Sequence, residues 1–464
     1  MKRFLLKLSF TFLLIACCMN VTAQITFQKV FGGAGGDAGN FVQQTSDGGY
    51  IVAGLIDVWP LPNGLFLIKT DEAGDTLWTK IFSDAVGNCV RQTSDGGFII
   101  TGVKNNKVYL LRTDGDGDSL WSKTFGTTNE NEGYSVQQTA DGGYIISGVK
   151  NYNSVNFTGL VYLIKTDSSG NSTWTKTYGG PLESRGYSVQ QTTDGGYVIG
   201  GFNLSGMGGT YDMYVIKADA DGDTAWTKKF PTPDPDKAFC AQQTTDGGYI
   251  LTGISNLISP EYMSLIKTDS AGNISWNKNI GPNGSSGRFV EQTSDDGYIV
   301  TGETGPNDLF LVKTNVDGDT LWTKTFHGTD HEDGRCVQQT IDGGYIIAGN
   351  TASPELVGLN SYQVYLIKTD GNGVVTGIDN KVSVSGVEIY PNPASDFTDV
   401  KIESKVMDIN SVILREVLGN EMNVPLQFNR QSVHLNLYSL SSGMYFLTVS
   451  GKDFSQTQKL LIER

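Results

Sequence analysis

One unit recurs seven times along this chain, and it constrains the fold more than any other feature. Its clearest copy runs from Ser135 to Gly180: SVQQTADGGYIISG, a variable stretch, then VYLIKTDSSGNSTWTKTYGG. The Thr of the signature falls at Thr45, Thr93, Thr139, Thr192, Thr244, Thr293 and Thr340, in steps of 48, 46, 53, 52, 49 and 47 residues. A repeat of about 50 residues denotes an array of supersecondary units that bury their apolar faces against one another. At 464 residues with 58 glycines, the chain has room for such an array plus a small second domain, and glycine enough for its turns.

Within the first copy, residues 41–45 read as a short strand and Ser46-Asp47-Gly48-Gly49 as a turn. Residues 50–53 form an apolar run suited to burial on both faces, and 65–69 a third strand. A second tight turn, Asp71 to Asp75, leads into residues 76–82. There Trp78, Lys80 and Phe82 alternate with Leu77, Thr79 and Ile81, as expected of a sheet edge. Four antiparallel strands per repeat describe a blade, and seven blades predict an all-β, seven-bladed β-propeller. The chain begins out of phase. Residues 25–31 (ITFQKVF) match a fourth strand, with Phe27 in the Trp position, whereas the seventh copy stops after its third strand at 364–369. The N-terminal strand is therefore expected to complete blade seven and close the ring.

Spacing separates two faces. The step from Thr to the strand-two aromatic is always 5 residues, and from the strand-three basic residue to Trp always 9. The connection between strands two and three is not fixed: Gly102 to Arg112 spans 10 residues and Gly349 to Lys368 spans 19. The connection from Trp to the next Thr runs from 15 to 18. One face is uniform and the other diverse, and the diverse face is where binding is expected.

Both ends carry export signals. Met1 to Lys7 is basic, 8–18 is apolar, and Val21-Thr22-Ala23 precedes Gln24, which predicts a signal peptide over 1–23 cleaved between Ala23 and Gln24. A rival reading is a lipobox at Leu14-Ile15-Ala16-Cys17, with Cys17 lipidated. No other segment is apolar enough to span a membrane. Removing 1–23 takes away Lys2, Arg3 and Lys7 and moves the net charge from −15 to −18, which argues against nucleic acid and anionic membrane surfaces as partners. Cys89, Cys240 and Cys336 each lie four residues before their Thr, in blades that are not neighbours, and are expected to be small buried thiols rather than disulfides.

The whole of 24–370 resembles a propeller-like repeat family of exported proteins of the Bacteroidetes type, through its QQTxDGGY…LIKTDxxGDTLWTK unit. The Gly74–Trp78 end also resembles the tryptophan-docking motif of quinoprotein dehydrogenases and the Asp box of sialidases. A quinoprotein would imply eight blades and a vicinal Cys pair. A sialidase would imply a convergent arginine triad with a Tyr–Glu pair, which the spacing alone does not assemble. After a linker at 371–385, residues 386–464 carry Tyr390-Pro391-Asn392-Pro393, Leu418-Gly419-Asn420 and Gly443-Met444-Tyr445. These resemble the type A C-terminal sorting domain of the type IX secretion system. The resemblance implies a small C-terminal β-sandwich, the secretion machinery as partner, and release or attachment at the outer membrane surface.

Candidate chemistry is sparse. The acidic turns at Asp114, Asp116, Asp118 and at Asp219, Asp221, Asp223 suit calcium in charge, but lack EF-hand spacing and have sisters that read as ordinary hairpin turns. His327 and His331, followed by Glu332 and Asp333, fall in a loop, so no metal is assigned; no other cofactor is implied. No Ser/His/Asp set can be named, so no catalytic residue is assigned. Arg288 and Arg335, each five residues before its Thr, could hold a carboxylate or phosphate, or form local ion pairs. Trp59, Tyr152 and Tyr211, read as variable-loop residues, are candidates for stacking on a ligand. The expectation is a secreted or cell-surface protein that binds a glycan or protein on the variable face. The alternatives are an extracellular propeller hydrolase or dehydrogenase, or a purely structural surface component.

Overall fold

The computed structural model describes residues 24–375 and 387–462 apart from 33–34, 58–62, 128, 206–209, 231–235, 256–260, 306, 354–360, 391–393, 403–408, 417–420, 430–431 and 452–454. Seven four-stranded antiparallel sheets follow the repeats. The first comprises Ala38–Gln44, Tyr50–Ile56, Gly64–Thr70 and Thr76–Ser83, and the next five repeat the order. In the seventh, Glu332–Gln339, Tyr345–Thr351 and Gln363–Thr369 are joined by the N-terminal strand Phe27–Phe31, with Phe27 opposite Lys368. The strands extend two or three residues beyond the apolar runs, because the antiparallel ladder continues through polar positions.

The repeat signature is spent on joining blades. Its second Gln accepts, through Oε1, the backbone N–H just after the Thr of the preceding blade. Ser46 donates to Gln92, Ser94 to Gln138, Ala140 to Gln191, Thr193 to Gln243, Thr245 to Gln292 and Ser294 to Gln339. Ile341 of blade seven donates to Gln44 of blade one at 2.9 Å. Each Trp packs against the strand-two aromatic of the next blade, edge-on in five of the six pairs, as Trp78 does on Phe98 at 6.0 Å, and tilted in Trp121–Tyr144. Phe27 does the same to Tyr50 at 5.8 Å, so it takes the Trp role in blade seven. The turn glycine of the next blade lies against that Trp: Gly117 has φ +78°, and a Cβ there would meet the Trp78 ring at 2.6 Å. Turn conformation and close approach both demand glycine.

The invariant Asp two residues after the Thr, which opens Asp-Gly-Gly in six of the blades and Asp-Asp-Gly in blade six, pairs with the basic residue of strand three inside every blade. Lys165 Nζ lies 2.7 Å from Asp141 and also donates to Thr166 O. Its side chain is 7% exposed, so the pair satisfies an ammonium that the blade has taken out of water. The remaining six pairs are Lys69–Asp47, Arg112–Asp95, Lys217–Asp194, Lys267–Asp246, Lys313–Asp295 and Lys368–Asp342. On strand four, Leu77 and Ile81 are exposed while Trp78 and Phe82 pack inward, as the alternation required.

Towards the C-terminus, two further four-stranded antiparallel sheets are built from Val387–Tyr390 through Ser455–Ile462. They share one apolar cluster, with Val400, Val433 and Leu435 from one sheet and Leu414, Leu447, Val449 and Leu460 from the other. No helix among the described residues is long and apolar enough to cross a membrane.

Candidate functional site: a cup at the start of the inner strands

The first strand of every blade breaks its register at the same place. Pairing shifts between Gly39 and Phe41, and likewise at Gly87/Cys89, Gly133/Ser135, Gly186/Ser188, Ala238/Cys240, Gly287/Phe289 and Gly334/Cys336. The skipped residue is the one five positions before the Thr. A β-bulge of this kind leaves one residue unpaired and re-aims its side chain. Each bulge sits opposite an invariant strand-two glycine. At Gly302, an added Cβ would lie 1.8 Å from Ser286 O. The glycine is what admits the bulge.

Around the seven blades the bulged column reads Asn40, Asn88, Tyr134, Tyr187, Phe239, Arg288 and Arg335, and all seven line one cavity of about 420 Å³. Glu132, Arg185, Phe41, Phe289, Ser135 and Ser188 complete its lining. Phe41 and Phe289, in blades one and six, meet edge-on at 5.7 Å. Beyond them a second cavity of about 710 Å³ is lined by residues from all seven blades, among them Gln43, Arg91, Gln137, Gln190, Gln242, Glu291 and Gln338.

The cup has three sectors. On the aromatic side, Tyr187 lies 4.8 Å from Tyr134 and 5.2 Å from Phe239. On the amide side, Asn40 Nδ2 donates to Gly87 O and Asn88 Nδ2 to Gly133 O and Glu132, so each offers its Oδ1 as an acceptor. On the cationic side, Arg288 Nη2 donates to Glu303 at 2.8 Å, and its guanidinium lies over the Phe239 ring. Arg335 donates through Nε to Asp333 Oδ2 at 2.7 Å and is 41% exposed. Asp333 is itself fixed by two bonds from Asn350 to Oδ1. Arg185 donates to Glu183 and, at 2.8 Å, to the Tyr134 hydroxyl. Burial raises the Glu132 carboxyl against the opposing effects of Asn88 and Tyr134. Burial, reinforced by the charge of Glu132, lifts the Tyr134 hydroxyl well above its usual range. At Glu303 burial acts upward, but the Arg288 pair wins and the carboxyl stays low.

Arg288 and Arg335 both line the cup, and both carry the local ion pairs that were one of the two expectations for them. Tyr152 and Tyr211 stand outside the lining. Tyr152 is the penultimate residue of the strand Tyr144–Asn153, with the Arg185 guanidinium 4.0 Å above its ring; Tyr211 opens Tyr211–Ala218, with Lys237 Nζ at 4.3 Å. They are strand residues, not loop residues, because blades three and four extend their ladders into the variable connections. Trp59 and Ala23 lie outside the described residues, as do Cys17, Pro391, Asn392 and Pro393. Gln24 holds blade seven: its Nε2 donates to Asp342 O and its Oε1 accepts from Gly371 N. In the tail, Tyr390 pairs with Asp399, Gly443 opens a strand opposite Ile462, and the buried Tyr445 hydroxyl donates to Ser441 O. The sequence reading missed Asn40, Asn88, Glu132, Tyr134, Arg185, Tyr187 and Phe239. For the column residues a signal was present: the position five before Thr differs in chemistry among copies, between a Gly or Ala on one side and a Phe, Cys or Ser on the other.

The acidic turns hold themselves. Asp114 Oδ1 accepts from the N–H groups of Asp116 and Asp118, and Asp118 pairs with Lys80. Asn315 makes the same bonds without a charge, so turn geometry accounts for the acid. His331 does approach carboxylates. Its ring joins Glu303 and Asp333 in a group whose ligand atoms lie within 4.8 Å, a set including one residue from the neighbouring blade. Both carboxylates are already engaged by Arg288 and Arg335, which compete with a cation. Cys89, Cys240 and Cys336 are free, buried thiols, each donating to a carbonyl of the next blade.

Residues 388–463 match the secretion system C-terminal sorting domain family. No curated protein matches the sequence. Among solved structures, the Dos1 propeller is 12% identical over 71% of this chain and 77% of its own, with a TM-score of 0.46. The Neurospora crassa Pan2 WD40 domain is 9% identical over 71% and 88%, at 0.46. A Dyadobacter fermentans protein of unknown function is 10% identical over 74% and 97%, at 0.45. The chain is a seven-bladed β-propeller repeat protein carrying a type IX C-terminal sorting domain, which marks it for the cell surface or the extracellular space.

Proposed function

We propose that this is an exported binding protein that takes its ligand in the bulge-lined cup, on the side where the variable connections enter. In this reading the signal peptide over 1–23 is removed, the N-terminal strand closes the ring, and the tail is a β-sandwich recognised by the secretion machinery and followed by release or outer-membrane attachment. The observation that carries it is the bulged column. Seven nearly identical blades put seven side chains of three chemistries into one concave site, while the rest of the signature stays constant and structural. Concave, partly aromatic sites with a few oriented polar groups are where small ligands bind, and about 420 Å³ falls in the size range of such sites.

A hydrolase is the second reading. Arg185, Arg288 and Arg335 share the cup with a Tyr134–Glu132 pair, the set that the sialidase resemblance called for. Against it, a tyrosine nucleophile needs a lowered hydroxyl, and that of Tyr134 is raised. The test is to screen the purified full chain against glycan and peptide arrays and to assay for product release. Binding lost in Tyr187→Ala without turnover supports the binding reading. Turnover lost in Tyr134→Phe replaces it with the hydrolase. Ligands that bind equally well to the wild type and to Tyr187→Ala place the site elsewhere.

A further inference from the structure

We infer that the cup selects a carboxylate-bearing pyranose, a terminal acidic sugar of an extracellular polysaccharide; this rests on the cup being the binding site. The order of side chains around the column supplies the argument. Arg288 and Arg335 are adjacent, followed by Asn40 and Asn88, then Tyr134, Tyr187 and Phe239, which returns to Arg288. Arg335 binds Asp333 through Nε, so its terminal Nη groups remain as a planar two-donor edge, the geometry that matches a carboxylate. Asp333 cannot easily let go, since its other oxygen takes two bonds from Asn350. The guanidinium is therefore oriented before a ligand arrives. Arg288, the next residue of the column, adds a second guanidinium to the lining, held by Glu303 and the Phe239 ring.

The remaining sectors argue for a sugar rather than a bare anion. Asn40 and Asn88 spend their NH2 groups on the neighbouring blade and present carbonyl oxygens, which call for donors such as ring hydroxyls. The Tyr187 and Phe239 rings supply an apolar face for the C–H side of a pyranose. The Phe41–Phe289 contact lies at the lining that separates the cup from the deeper cavity, which suits a chain end rather than a threaded polymer.

The test is calorimetric titration of the full chain with galacturonate, glucuronate and N-acetylneuraminate, against galactose, glucose, sulfate and inorganic phosphate. One acid sugar is expected to bind at least about ten-fold tighter than its neutral counterpart, the worth of one charge-assisted bond. Arg335→Gln should weaken it by about 10- to 100-fold, and Arg335→Lys should not restore it. Asn40→Asp, which adds a like charge without removing an arginine, should weaken acid sugars more than neutral ones. Asp75→Asn, at a blade's outer edge, should change nothing. Galactose binding as well as galacturonate, with both lost in Tyr187→Ala, overturns the carboxylate and keeps the cup. Sulfate or phosphate displacing the acid sugars at equal concentration also overturns it. No sugar bound, with peptide ligands lost in Tyr187→Ala, refutes the sugar class. No ligand of any class sensitive to Tyr187→Ala refutes the cup as well.

Discussion

Glu291 occupies a position where five other blades carry glutamine: Gln43, Gln137, Gln190, Gln242 and Gln338. The column exists to bridge blades. Gln43, Gln137 and Gln190 accept the backbone N–H of Gln92, Gln191 and Gln243, and Glu291 accepts that of Gln339 in the same way. A carboxylate performs this task at a disadvantage. Burial lifts the Glu291 carboxyl from near 4.5 to about 7, against the opposing effects of the Gln339 N–H and Arg91. A raised acid favours its protonated form in the fold, so its stabilisation is complete below the unfolded value and is lost as pH rises through the folded one. At about 1.4 kcal/mol per unit, that shift corresponds to about 3 kcal/mol lost by neutral pH. The side chain borders the 710 Å³ cavity, where solvent screening reduces this figure, and the attraction of the Arg91 charge is lost when the carboxylate is removed. Glu291→Gln is therefore expected to stabilise the chain by about 1–3 kcal/mol at pH 8 and by almost nothing at pH 5. Guanidinium unfolding midpoints at the two pH values measure this directly. A variant less stable than wild type at pH 8 would show that the Arg91–Glu291 attraction outweighs desolvation and would refute the reasoning.

Three further outcomes follow from the repeat contacts. Phe27→Ala removes the side chain that stands in for Trp and should cost about 3 kcal/mol with a gain in aggregation, whereas Phe27→Trp should be tolerated; thermal melts and light scattering decide it. At Asp141, Asp194 and Asp246 burial acts upward, but bonds from the lysine, the Thr and a backbone N–H outweigh it and hold each carboxyl at about 2. Such lowered acids stabilise above their unfolded value near 3.8 and lose that contribution as pH falls towards 2, each worth under about 1 kcal/mol given their exposure. An acid unfolding curve steepening between pH 4 and 2, and shifted upward by Asp141→Asn, is expected; a shift downward contradicts the pairing. Gly302→Ala should abolish the bulge of blade six, lowering stability and ligand binding together, while Gly180→Ala, with nothing within 4 Å of its Cβ, should be neutral in both readouts.

Much of this protein was legible without coordinates, because a sevenfold repeat is its own alignment. Blade count, strand order, the role of Phe27 and the uniform turn face follow from spacings that cannot vary without breaking a ladder. The sorting domain was legible from its motifs. The candidate site was legible only at Arg288 and Arg335. Period-two alternation says that neighbours on a strand face opposite sides, so Tyr134 and Ser135 cannot both face the axis. The bulge suspends that rule in every blade, and a bulge is a matter of pairing between strands that no single strand announces. Tyr152 and Tyr211 looked freer than they are for a related reason: their cation partners, Arg185 and Lys237, come from the first strand of the next blade.

The sequence by itself determined the scaffold, since each copy repeats the donors, acceptors and glycines that one blade needs from the next. Only the tertiary structure decided the site. One varying position among several in each repeat has no meaning until seven of them are drawn together, where two arginines, two amides and three aromatic rings become one concave surface.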